Sequence, residues 1–193
     1  MNARTIILYA AATLAVAAAV HLGTVWYLPN IIMDRAMAQM GAVNTIHHGQ
    51  RATAAIHGVV RPSPDLLYSV CPYDVSKEPL RVAADVPKGT YWSVSIFDDA
   101  TNNFFVLNDS QTHRTLTVVL FSPDAPDDNG VVATLSRADP AHLQRENLRL
   151  VKAPTARGLV VFRTLVNNET NFTAIDAARH KSGCTPLSEI PHF

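Results

Sequence analysis

The hydrophobic pattern opens with an apolar run that no charge interrupts. From Thr5 to Leu28 the chain has no Asp, Glu, Lys or Arg. As a helix this run would span about 36 Å, enough for a hydrocarbon core of about 30 Å. Trp26 and Tyr27 lie at its far end, where amphipathic rings favour the headgroup layer. We predict that residues 1–28 form a cytoplasmic tip and a transmembrane anchor.

A cleaved signal peptide is the alternative to a retained anchor. Arg4 would be its charged start, and Ala17 to Ala19 resemble a cleavage site. The apolar run continues to Leu28, however, which favours an anchor. Arg4 is the only charged side chain before the run, so the positive-inside rule favours a cytoplasmic N-terminus. Under either interpretation the remainder lies outside the cytoplasm.

Residues 29–48 have a helical pattern of a different kind. Pro29 interrupts the helical hydrogen-bond ladder, and a juxtamembrane helix is predicted to continue beyond this kink. Its methionine-rich face is expected to pack on the chain's own domain, with a partner protein as the alternative. The apolar positions that recur near helical spacing are Ile32, Met33, Met37, Met40 and Val43.

After Gly49 apolar and polar residues alternate, as they do in strands. The runs 80–86 and 91–97 flank Pro87-Lys88-Gly89-Thr90, which predicts a β-hairpin. Further strands are predicted at 66–73, 103–107, 115–121, 131–136, 148–152 and 159–165. Helices are predicted from Pro140 through Glu146 and over residues 172–180, the second capped by Thr170 or Asn171. The predicted fold is mainly β, an antiparallel β-sandwich-like domain over 49–193 with a few short helices, preceded by one N-terminal transmembrane helix.

Two stretches resemble a known bacterial family. Residues 62–109 combine Pro-x-Pro-Asp-x-x-Tyr-Ser, Asp-Val-x-x-x-Pro-Leu and Tyr-Trp-Ser-Val-x-x-Phe-Asp, and residues 159–180 read LVVFRTLVNNETNFTAIDAARH. This pattern resembles Domain of Unknown Function 1254. Members more commonly have Asn-x-Asp-Thr where this chain has Ser63-Pro64-Asp65-Leu66.

The resemblance implies a β-sandwich and a partner. Longer members carry a second module, Domain of Unknown Function 1214, in the same chain. Short membrane-anchored members accompany a separate short protein of that second family. The resemblance therefore implies a heteromer with a Domain of Unknown Function 1214 protein. Together with the predicted anchor and orientation, a bacterial member of this kind is expected to be a single-pass protein of the inner membrane, with its globular domain in the periplasm.

Charge and cysteine content narrow the functional classes. The chain has 16 Lys+Arg and 16 Asp+Glu without a basic stripe, which argues against nucleic-acid binding. Cys71 and Cys184 are its only cysteines, and an oxidising compartment would allow them to form a disulfide. Two separate buried thiols are the alternative.

The candidate site residues are carboxylates and one tyrosine. Asp65 could act as a general base or a polar ligand contact near the Tyr68 hydroxyl; a turn aspartate followed by a half-buried tyrosine is the alternative. Asp98 and Asp99 could act in acid–base catalysis or bind a cation. The alternative is that they lie at a solvated end of a strand. The weak ligand-binding candidates are thus Asp65, Tyr68 and Asp98. No histidine has HxH or HExxH spacing and no GxSxG occurs, so neither a metal site nor a cofactor is predicted.

These observations leave two hypotheses. The first is a non-catalytic envelope module for binding or assembly with a partner protein. The second is an extracytoplasmic enzyme or ligand-binding domain for a small molecule or sugar. A deep polar pocket that gathers Asp65, Tyr68 and Asp98 would favour the second hypothesis, and a flat exposed apolar strip would favour the first.

Overall fold

Two β-sheets packed face to face follow a long N-terminal helix. The computed structural model describes residues 2–53, 62–112, 114–125 and 147–189. Short 3₁₀ turns lie at Glu169–Asn171 and Leu187–Glu189. The helices are α1 (Ala3–Met40) and α2 (Phe172–Arg179), and the strands are β1 (His47–His48), β2 (Leu66–Asp74), β3 (Leu80–Asp85), β4 (Trp92–Asp98), β5 (Asn103–Asn108), β6 (Thr115–Phe121), β7 (Asn147–Lys152), β8 (Arg157–Leu165) and β9 (Gly183–Pro186).

The strands form one five-stranded and one four-stranded sheet. The first has the order β1-β2-β8-β4-β5 and the second the order β7-β6-β3-β9. All pairs are antiparallel except β6 with β7, which is parallel, so the four-stranded sheet is mixed. The predicted fold, a mainly β sandwich after an apolar N-terminal helix, is confirmed.

Alternation along the strands creates the core between the sheets. Leu80 and Val82 of β3 face Trp92, Val94 and Ile96 of β4 in one cluster, and each of them is at most 1% exposed. Successive strand residues point to opposite faces, so the same alternation puts a second set of side chains on the outer face of each sheet. That outer face of the five-stranded sheet carries the contacts with α1 and a polar strip around Arg163.

The predicted hairpin of β3 and β4 is wrong, because the two strands belong to different sheets. β3 lies between β6 and β9, whereas β4 lies between β8 and β5. Residues 86–91, here called the β3–β4 arch, cross from one sheet to the other. Val86 N donates to Arg114 O at 2.7 Å and Leu165 N donates to Tyr91 O at 2.9 Å, so both strands keep their own partners up to the arch. The alternating pattern fixes the face of a strand but not its neighbour.

Most of the other predicted elements are present. The strands predicted at 66–73, 103–107, 115–121, 148–152 and 159–165 occur within two residues of their predicted ends. The predicted helix over 172–180 is α2, although the side chain of Asn171 makes no capping bond. Strands β1 and β9 were not predicted. The strand predicted at 131–136 and the helix predicted through Glu146 lie outside the described residues.

Helix α1 joins the two predicted N-terminal segments into one. It continues through Pro29 and ends at Met40, before Gly41 with φ +101°. The predicted helix over 29–48 is therefore too long, since His47 and His48 pair with β2 as a strand. A proline inside a helix costs about 3 kcal/mol; packing of the helix beyond Pro29 offsets this cost. By length and composition α1 qualifies as a membrane-crossing helix.

Candidate functional site

The second half of α1 packs on the outer face of the five-stranded sheet. Met33 and Met37 are each 4% exposed and contact Leu159 and Val161 of β8. These four residues are called the helix seam. The prediction that the methionine-rich face packs on the chain's own domain is confirmed.

Polar contacts flank the helix seam at one end of β8. Asn30 Nδ2 donates to Asp99 O at 3.3 Å, and Asp34 lies 3.6 Å from the Arg157 guanidinium. The first half of α1 therefore leaves the domain at the Arg157 end of the five-stranded sheet.

A polar strip lies on the same outer face, nearer the Leu165 end. Arg163 pairs in register with Tyr68 on one side and Ser93 on the other. Its Nη1 donates to Ser95 Oγ at 2.9 Å. The Ser93 hydroxyl is buried and has no hydrogen-bond partner among the residues that the structure describes. The Tyr68 hydroxyl accepts a hydrogen bond from Ser63 N at 3.3 Å, so a backbone turn engages it.

The three predicted site residues do not come together. Tyr68 is opposite Arg163 on β8, whereas Asp98 is opposite Gly158. Five strand residues separate the two positions by about 17 Å. Asp65 lies at the Leu165 end with an exposed side chain, and its backbone carbonyl accepts from Val166 N at 2.8 Å.

Asp98 is a buried structural carboxylate. It is 6% exposed, and it accepts hydrogen bonds from Ala100 N at 3.0 Å and from Asn102 N at 2.7 Å and Nδ2 at 2.9 Å. The expected solvated strand end is therefore wrong for Asp98, which closes the turn of the β4–β5 hairpin. Burial, then the charges of Asp98 and Asp34, raise the pKa of the adjacent Asp99.

A cluster that sequence reasoning missed joins β1, β2 and α2. Arg179 is 7% exposed, and its Nη1 donates to Gly49 O at 2.8 Å and to Tyr68 O at 3.0 Å. Its guanidinium also pairs with Asp176. The Asp176–Arg179 spacing indicates an ion pair on one helix face. The contacts to residues 49 and 68 carry no local signal, since they span more than a hundred positions.

Two histidines border this cluster. His48 Nδ1 lies 2.8 Å from Ser69 Oγ, and the His48 and His180 rings are 4.3 Å apart. Burial lowers the pKa of His48 to about 4, with further contributions from the charges of His180 and Arg179. Ser69 is fully buried, so the His48–Ser69 pair fits a structural contact better than an accessible nucleophile.

A pocket of about 590 Å³ opens at the Leu165 end, beside the β3–β4 arch. Arch residues line it together with Asp109, Arg114 and Asn167, and none of the predicted site residues is among them. Within the described ranges, no three His, Cys, Asp or Glu side chains are grouped to hold a metal ion.

Cys71 and Cys184 meet between the sheets. Cys71 lies on β2 of the five-stranded sheet and Cys184 on β9 of the four-stranded sheet, with Cα atoms 6.6 Å apart. The structure joins them as a disulfide.

Comparison with known proteins places this fold in a family. The sequence profile described as Protein of unknown function (DUF1254) matches residues 43–186. The chain belongs to the Domain of Unknown Function 1254 family. The matched range of this family begins after α1 and includes all the strands described above. No curated protein matches the chain.

Two solved structures are similar to this Domain of Unknown Function 1254 chain. The VPA0106 protein from Vibrio parahaemolyticus superimposes with a TM-score of 0.60 at 15% identity, over 88% of this chain and 39% of that one. An uncharacterised protein from Burkholderia cenocepacia gives a TM-score of 0.45 at 13% identity, over 77% of this chain and 36% of that one. The first likeness supports the fold. The chain spans well under half the length of either protein.

Proposed function

We propose that this chain is a membrane-anchored binding module that assembles with a separate protein through the free edge of β5. The observation that carries the proposal is a strand edge that no described residue pairs with and that carries an exposed apolar residue, on a domain fixed to an apolar helix. The predicted acid–base residues lie apart, which supports a binding role over an enzymatic one.

The anchor supports a defined placement of the domain. Between Ile6 and Leu28 the helix is mostly apolar and exposed, while Met33 and Met37 hold the same helix on the five-stranded sheet. With Thr5 to Leu28 in a bilayer, the Arg157 end of the sheet faces the membrane and the Leu165 end faces away. We place the domain in the periplasm and the N-terminus in the cytoplasm of a bacterial inner-membrane protein, in line with the charge at Arg4.

The β5 edge has the features of a strand-addition site. Among the described residues β5 pairs only with β4, and Val106 is 55% exposed. Asp109 N donates to Trp92 O at 3.0 Å, which identifies this pair as hydrogen-bonded. Bonded and non-bonded pairs alternate in an antiparallel ladder. Val106 therefore directs its N–H and C=O away from β4, toward the free edge.

The proposed occupant is a strand of a partner protein. Edge strands with unpaired backbone groups bind extended segments, and backbone hydrogen bonds then supply the affinity. A Domain of Unknown Function 1214 protein is our first candidate, because the resemblance implies it.

The test is affinity purification of the tagged full chain from detergent-solubilised membranes. We expect one co-purifying protein with the wild type and with Val106→Thr, which keeps the backbone donor. Val106→Pro removes the N–H at the free edge, where proline is tolerated because no β4 hydrogen bond is lost. We expect this variant to lose the partner while its unfolding temperature stays close to that of Val106→Thr.

Two results would reject the proposal. Recovery of the chain alone at every detergent concentration would show that it has no stable partner. Equal recovery of the partner with Val106→Pro and with the wild type would show that the interface does not involve the β5 edge. A reporter fused to the C-terminus tests the placement separately, since cytosolic exposure of that reporter would reverse the orientation.

A further inference from the structure

The pocket beside the β3–β4 arch, here called the arch pocket, has the size of a small-molecule site. Its volume is about 590 Å³, and such sites typically measure about 300–1,000 Å³. It lies at the Leu165 end of the sandwich, the opposite end from the contacts of α1 with Asp99 and Arg157. A ligand there would not compete with the helix.

Hydrogen bonds hold the walls of the arch pocket in place. Thr90 Oγ1 donates to Leu165 O at 2.5 Å, and Asn167 Nδ2 donates to Gly89 O at 2.7 Å. The ladder bonds of Val86 and Tyr91 fix the two ends of the arch. A site built this way loses little conformational entropy when it binds a ligand.

The charges that line the pocket favour an anion. Among the described residues that line the pocket, Lys88 and Arg114 contribute two cations and Asp109 the one carboxylate. One oxygen of Asp109 already accepts a hydrogen bond from Trp92 N at 3.2 Å. Tyr91 is 44% exposed and lines the same pocket, where its ring offers a face for the uncharged part of a ligand.

The backbone at Arg114 supports the same interpretation. Its φ of +72° lies in the left-handed region, which is unfavourable for a residue with a long side chain. Its carbonyl accepts from Val86 N at 2.7 Å, so this conformation is held by the end of the β3–β6 ladder. Residues held in such conformations cluster at binding sites.

We infer that the arch pocket binds a small anionic molecule, whose carboxylate or phosphate group lies between Lys88 and Arg114. Guanidinium and ammonium groups bind both kinds of anion with charge-assisted hydrogen bonds. Tyr91 contacts the uncharged part of the ligand. This inference does not depend on the β5 edge or on any partner protein.

The experiment is calorimetric titration of the detergent-purified full chain with three anions and one neutral compound. The anions are inorganic phosphate, citrate and glucuronate, and the neutral compound is glucose. We expect saturable binding of at least one anion and no measurable binding of glucose. Lys88→Gln and Arg114→Gly should each lower the affinity for the anion at least tenfold. The exposed control Lys77→Gln should bind the anion with the affinity of the wild type.

Arg114→Gly also controls for folding. Glycine adopts positive φ without strain, so this variant should unfold at or above the temperature of the wild type. Failure of all three anions to bind at millimolar concentrations overturns the inference. Binding that survives both substitutions, or that Lys77→Gln weakens equally, overturns it too. Either result leaves the β5 proposal untouched, because co-purification of a partner measures a different surface.

Discussion

His48 Nδ1 lies 2.8 Å from Ser69 Oγ, on two paired strands at the edge of the five-stranded sheet. Strand β1 follows the end of α1, so this contact helps to join the helix to the domain. Burial and the nearby His180 and Arg179 disfavour a positive charge on the ring and lower the pKa of His48 from 6.5 to about 4. The imidazole is therefore neutral at pH 7.

Replacing His48 should change how stability depends on pH. The unfolded chain takes up a proton at this histidine near pH 6.5, whereas the folded chain does so only near pH 4. Between these values the unfolded state binds more protons, so the contribution of His48 to stability is complete above pH 6.5 and is lost as the pH falls toward 4. We expect the unfolding temperature of the wild type to fall over this range and that of His48→Gln to fall less. Thermal unfolding in buffers from pH 7.5 to about 4 measures the difference.

His21→Gln is the matched control, because His21 lies in the anchor half of α1, away from β1 and the cluster around His48. The other acid-sensitive groups, such as Asp74, are common to all three proteins and cancel in the difference. If His48→Gln and the wild type lose stability in parallel, the pH dependence does not arise at His48.

Gly158→Ala should destabilise the sandwich strongly. A Cβ at this position would meet the Phe97 carbonyl and the hydroxyl of the fully buried Tyr73. Because the Phe97 carbonyl is backbone, the clash cannot be relieved by a rotamer change, and we expect a loss of about 3 kcal/mol. Gly183→Ala on β9 is the control, since no atom of the described residues lies within 4 Å of its added Cβ. Denaturant unfolding of both variants decides the point, and equal stability would contradict this account of Gly158.

The helix seam should couple α1 to the domain. Met37 is 4% exposed, so Met37→Asp places a charge in the buried contact between α1 and β8. Because burying an unpaired charge is unfavourable, we expect this half of the helix to detach from the sheet. We expect hydrogen exchange of residues 33–40 to become much faster, while the sandwich core keeps its protection. Ala38→Asp puts the same charge on the neighbouring exposed position and should leave exchange unchanged. Unchanged protection in Met37→Asp would show that the seam does not hold the helix.

The positions of most strands could be predicted from the sequence, but their neighbours in the sheets could not. Alternation identified β3 and β4, and it is equally compatible with a hairpin or with an arch between two sheets. Only the pairing of β3 with β6 and of β4 with β8 separates the two cases, and both pairings are long-range. Strand β9 has only four residues and too short a pattern to be detected.

The candidate site residues were harder to predict, because their roles depend on contacts distant in sequence. The sequence around Asp98 does carry a local signal. An aspartate at the end of a strand, a few residues before an asparagine such as Asn102, is typical of a turn. Arg179 has no such signal for its bonds to the Gly49 and Tyr68 carbonyls. The arch pocket is lined by residues from several different loops, so no single sequence motif indicates it.

Cys71 and Cys184 should be oxidised in the chain as it is isolated from membranes. They close a loop with a sequence separation of 113, across the two sheets. In the chain-entropy model a loop of this length stabilises the fold by about 4–5 kcal/mol. We therefore expect dithiothreitol to lower the unfolding temperature of the wild type and not that of the Cys71→Ala/Cys184→Ala double variant. Alkylation of the unfolded, unreduced protein followed by mass measurement checks the redox state directly. Modification of both thiols in protein taken from membranes would contradict the disulfide, and would also weaken the proposed periplasmic placement, since an oxidising compartment is where such a bond persists.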